Sequence, residues 1–162
     1  MFSWIGGLER KFDKPKHLEE RMKTVITKND GWVAKDDSNK LGYTATKAGA
    51  MFEMGFKNLN SSIQTINLFV MRSYGDKWEG SKIRVNTLVT RGGSSNRIEG
   101  STVHDLKKST EVKRFHDNKT SETYTFQLVL GQGAMKNDDL AVKIELVGGS
   151  TFKIMGMAFC DH

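Results

Sequence analysis

From Trp32 onward, apolar residues recur at every second position in short runs broken by turn-forming residues. "AMFEMGF" places Phe52, Met54 and Phe56 on one face. "SKIRVNTLVT" sets Ile83, Val85 and Val89 against Lys82, Arg84 and Asn86. "ETYTFQLVL" aligns Tyr124, Phe126, Leu128 and Leu130, and "LAVKIELV" aligns Leu140, Val142, Ile144 and Leu146. A period of two marks a strand with one face on a core and the other in water. The connectors "RGGSSN", "HDNKTS", "GQGAMKNDD" and "VGGS" supply the Gly, Asn, Asp and Ser that turns require. Short strands and turn chemistry without helical periods between them predict an all-β fold, an antiparallel, jelly-roll-like β-sandwich.

Two segments depart from this pattern. In "SIQTINLFVMRS", Ile66, Leu68 and Val70 lie opposite Phe69 and Met71, so the strand is apolar on both faces. It is covered twice, or it carries a bulge. In "DKPKHLEERMKTV", Asp13 precedes Pro15, and Leu18, Met22 and Val25 follow at spacings of four and three. An acidic cap, a first-turn proline and that stripe predict one short amphipathic helix. The chain therefore divides into a helical lead-in, 1–30, and a β-sandwich domain, 31–162. Residues 98–114 read as two short strands or as one long connection.

Composition narrows the picture. The 162 residues suit a single core, and one cysteine, Cys160, excludes an internal disulfide. The thiol ends an apolar run and reads as a small buried hydrophobe. No stretch approaches the roughly 18 apolar residues of a membrane helix. The net charge of +6 comes from 25 basic and 19 acidic residues interleaved along the chain. That pattern suits a soluble surface better than a nucleic-acid footprint. The densest basic run, "LKKSTEVKR", lacks stacking aromatics and reads equally well as lysines guarding a sheet edge.

Candidate chemistry is sparse. His17, His104, His116 and His162 are scattered, and no strained serine elbow accompanies them, so no catalytic residue is assigned. One cysteine and dispersed imidazoles do not make a zinc site, and no glycine-rich phosphate loop is present, so no cofactor is expected. The clusters Asp36–Asp37–Asn39 and Asn137–Asp138–Asp139 lack calcium-loop spacing and read as turns. Sequons at Asn60 and Asn118 fall in turn regions and are candidate glycosylation sites.

The connector "SYGDKWEGS" is the most distinctive stretch. Strands 64–72 and 82–90 are expected to pair as neighbours, with the connector as a wide hairpin turn. Ile66, Leu68 and Val70 then meet Val85, Phe126, Ile144 and Ile154 in the core. Tyr74 and Trp78, with Arg72, Asp76 and Glu79 nearby, form a candidate glycan platform if the rings stay partly exposed, and a core lid if they do not. Trp78 is expected to be partly exposed.

In order along the chain come "DGWVA", "MRSYGDKWEGSKIRV", "IEG", "TSETYTFQLVL" and "FKIMGMAFC". Together they resemble the C-terminal β-sandwich accessory module of algal and related eukaryotic secreted or Golgi-type carbohydrate-active proteins, often attached to GDSL-like hydrolases, over residues 30–160. The resemblance implies a non-catalytic, luminal or extracellular module that recognises a glycan or polysaccharide, or supports an adjacent domain of a longer chain. The alternative is a structural jelly-roll module that self-associates or contacts a polyanion.

Overall fold

The computed structural model describes residues 3–5, 14–91, 97–105 and 121–160. Asp13, His116, His162, Asn118 and the basic run 107–114 lie outside them. Eleven strands and one helix are described: β1 (Ser3–Ile5), α1 (Lys14–Met22), β2 (Ile26–Asp30), β3 (Trp32–Asp37), β4 (Lys40–Ala45), β5 (Met51–Phe56), β6 (Ile63–Arg72), β7 (Lys82–Thr90), β8 (Arg97–Asp105), β9 (Glu122–Ala134), β10 (Asp139–Gly148) and β11 (Phe152–Cys160). The first part of the ambiguous 98–114 segment is thus a strand.

Two antiparallel sheets form. The first runs β3-β4-β11-β6-β9, with β1 also on β11, and the second runs β2-β5-β10-β7-β8. From β4 to β11 the chain changes sheet at every step except β7 to β8, which pair with each other. Eight strands wound in this way make a jelly roll, to which β2 and β3 each add an outer strand.

Local chemistry explains the entry. Asn29 accepts from the Trp32 backbone N–H at 3.1 Å and donates to the Trp32 carbonyl at 2.8 Å. That clasp, around Gly31 at φ 84°, turns the chain from the second sheet into the first. Ser38 and Asn39, at φ 54° and 64°, make the two-residue turn between β3 and β4 that matches strand twist. The carboxylate-rich "KDDSN" is therefore a hairpin.

The inward residues interleave between the sheets. Ile66, Leu68, Val70, Val85, Ile144 and Ile154 are all buried, and Phe126 packs against them half-buried. Phe52 lies 4.8 Å from Tyr43 and 6.2 Å from Trp32 between ring centroids. Helix α1 follows the expected stripe, with Leu18 and Met22 in the same core and Val25 half-buried beside it.

Candidate functional site

The connector 73–81 does not close a hairpin. β6 pairs with β11 and β9, whereas β7 pairs with β10 and β8 in the opposite sheet. The expected 64–72/82–90 pairing is corrected accordingly. The physical reason lies in β6 itself. Phe69 and Met71 point away from the main core and need cover of their own, and the connector provides it. A 3-10 turn, Asp76–Trp78, drops Trp78 onto Met71 and Met155, with Phe69 alongside. Trp78 is only 4% exposed, so the expectation of a partly exposed ring is also overturned. Its ring is a lid and has no free face on which a sugar could stack.

The lid is held on several sides. Trp78 N–H donates to Gly75 at 3.0 Å, and the Ser150 hydroxyl donates to the Lys77 carbonyl at 3.0 Å. Gly149, at φ 71°, sits so close to Ser81 that an added Cβ would lie 2.4 Å from its Cα. Beside the lid, Lys153 is fully buried and its ammonium meets Asp37 at 2.7 Å. That hydrogen bond holds the Asp37 carboxyl below its ordinary pKa.

The remaining connector residues scatter in character. Tyr74 is 39% exposed, and Asp76 and Glu79 are exposed. Arg72 is half-buried, and its guanidinium lies 5.8 Å from the centroid of the Tyr124 ring, on the side of β6 that carries Val70. With Trp78 buried, this group lacks the two-ring platform expected of it.

A different site appears at the other end of β6. The connection between β5 and β6, residues 57–62, forms the rim of an open cleft of about 580 Å³. Its apolar wall comes from Val25, Phe56, Leu59, Ile63 and Phe159, with Phe56 and Phe159 in edge-to-face contact at 4.7 Å. Its polar wall comes from Thr24, Asn58, Asn60, Ser61 and Ser62. Among the described residues Lys57 is the one ionisable group lining the cleft, and its ammonium is bound to Asp139 at 2.7 Å. Hydroxyl and amide groups thus surround a base of buried apolar residues, a combination found in small-ligand sites. Asn60, the candidate glycosylation residue, is exposed on this rim.

The rim is pre-organised by the turn 135–139. Asp139 accepts from the Asn58 N–H at 2.9 Å while holding Lys57. Leu59 N–H donates to Asp138 at 2.9 Å, and Asn137 N–H donates to Leu59 at 2.8 Å. Asp138 accepts from the Met135 N–H at 2.8 Å. The carboxylates of "KNDDL" are thus engaged in holding two turns together. Leu59, a lone apolar residue in a polar connector, was the available sequence signal for an anchored loop. The rest of the cleft joins segments near 24, 56, 60 and 159, which no local pattern brings together.

The Lys57 hydrogen bond, followed by that from Asn58, holds the Asp139 carboxyl below its ordinary pKa. A depressed carboxylate contributes its stabilisation fully above the unfolded value, near 4, and loses it as pH falls through the folded value. Rim order therefore declines only in acid, below about pH 4. In Asp139→Asn the Asn58 amide is expected to exchange faster already at neutral pH. Hydrogen exchange read residue by residue checks this, and unchanged Asn58 protection would show that the carboxylate does not hold the rim.

No protein-family model matches the sequence, and no curated protein does either. Solved structures share the architecture. A family 28 carbohydrate-binding module specific for non-crystalline cellulose aligns over 80% of each chain, with TM-score 0.50 and 3% identity. A family 61 module in complex with β-1,4-galactotriose covers 83% of this chain and 86% of its own, with TM-score 0.47 and 12% identity. A family 35 module in complex with a glucuronic acid-containing disaccharide covers 85% and 87%, with TM-score 0.48 and 14% identity. The fold is therefore the β-sandwich found in carbohydrate-binding modules, as the first of these alignments shows.

Proposed function

We propose that this protein is a non-catalytic glycan-binding module and that the cleft at the β5–β6 end is its site. The observation that carries the reading is the cleft's make-up, a floor around Phe56 and Phe159 beneath a rim of Asn58, Asn60, Ser61 and Ser62. Pyranose rings present apolar C–H faces and a belt of hydroxyls. The rim matches the second, and half-buried Val25 offers the first an apolar contact above the buried Phe56 and Phe159, while the held backbone of Asn58 and Leu59 lowers the ordering cost of binding. The architecture shared with carbohydrate-binding modules agrees with this reading. We place the protein in the secretory or extracellular space, attached to or beside a carbohydrate-active domain. Binding then requires Asn60 unmodified, since a glycan attached there would occupy the cleft.

The test is a broad oligosaccharide and polysaccharide array probed with unglycosylated protein, followed by calorimetry on the hits. Asn60→Ala and Ser62→Ala each remove one rim hydrogen-bonding group and are expected to weaken binding about 2- to 10-fold, the value of a typical hydrogen bond. An array without any bound glycan would remove the proposal. Binding indifferent to both rim substitutions would move the site elsewhere.

A further inference from the structure

Among the described residues, β9 is an outer strand, paired with β6 on one side and with no strand on the other. Such an edge offers unpaired N–H and C=O groups to any other strand, and proteins blunt it with charge, proline or shortness. The other outer strands conform. β2 and β3 have five and six residues and carry Lys28, Asp30, Lys35, Asp36 and Asp37. The sequence of β8 holds Arg97, Glu99 and Asp105. In contrast, β9 runs for thirteen residues, "ETYTFQLVLGQGA", with no proline and with Glu122 as its only Asp, Glu, Lys or Arg. Its Val129 is 72% exposed and its Tyr124 43%.

We infer that β9 is a self-association edge, at which two copies of the chain join antiparallel, β9 to β9, and merge their first sheets into one. The occupant follows from the strand's own chemistry. A two-fold axis perpendicular to the sheet keeps each side chain on its face, so the strand must tolerate its own copy directly opposite. Centred on Phe126, the pairing sets Thr125 opposite Gln127, Tyr124 opposite Leu128 and Thr123 opposite Val129, all within the stretch regularly registered on β6. No like charges meet, and the pairs are of the aromatic, aliphatic and β-branched kinds that stabilise sheets. The net charge of +6 opposes the approach of two copies, so added salt strengthens this dimer, whereas it would weaken binding to a polyanion.

Sedimentation velocity across a concentration and salt series tests the inference. The wild-type chain should form dimers that tighten with salt. The double variant Thr125→Lys, Gln127→Lys alters only exposed side chains and places lysines opposite lysines. It should raise the dissociation constant about tenfold or more. Hydrogen exchange on the wild type gives a second readout, in which protection of β9 amides should rise with protein concentration. A strictly monomeric wild type, equal dimerisation of the lysine variant, or concentration-independent β9 protection would each overturn the assignment.

Discussion

Trp78→Ala is expected to destabilise the fold by about 3–5 kcal/mol, the usual cost of emptying a buried tryptophan site. The ring is 4% exposed and closes a small cluster with Met71 and Met155 that is separate from the main core. Its removal uncovers both methionines and Phe69 on the outer face of the first sheet and leaves the 3-10 turn without its anchor. Glycan affinity of the protein that remains folded should be unchanged. The lid and the cleft lie at opposite ends of β6, a ten-residue strand about 30 Å long. Denaturant titration and calorimetry under native conditions separate the two effects. A loss of binding without a loss of stability would return Trp78 to the role of ligand platform.

Leu68→Ala is expected to cost about 2–5 kcal/mol. Leu68 is fully buried at the centre of β6, between Met157 on one neighbouring strand and Phe126 on the other. The outward neighbour Asn67 instead hydrogen-bonds Cys160 at 3.1 Å on the sheet's opposite face. A cost under about 1 kcal/mol would mean that the inward face of β6 is misassigned, because a closed site cannot collapse around so large a deletion.

Leu68 also marks what the sequence made legible. Alternation places Ile66, Leu68 and Val70 together whatever their neighbours are, because it depends only on the strand's own geometry. The pairing partners of β6 and β7 were not legible in this way. Both strands carry patterns that fit either sheet, and a short polar connector suggests a hairpin unless the outward pair Phe69 and Met71 is counted as surface needing cover. Once it is counted, a tryptophan nearby in the chain becomes the natural lid, and burial outweighs the local turn preference. The cleft was less legible still. Asn60 was singled out only as a sequon, while Asn58, Ser61 and Ser62 read as ordinary turn residues. The Asn58 N–H and the Leu59 backbone are held by Asp139, Asp138 and Asn137, some 80 positions later.

The most direct test of the central claim is backbone-amide chemical-shift mapping of the unglycosylated protein, titrated with the tightest-binding oligosaccharide from the array. The cleft predicts shifts concentrated at Thr24, Val25 and residues 55–63, with Phe159 beneath them, and little change at Tyr74 to Glu79. Shifts centred on the connector or spread over an open sheet face, with the 55–63 amides still, would contradict it.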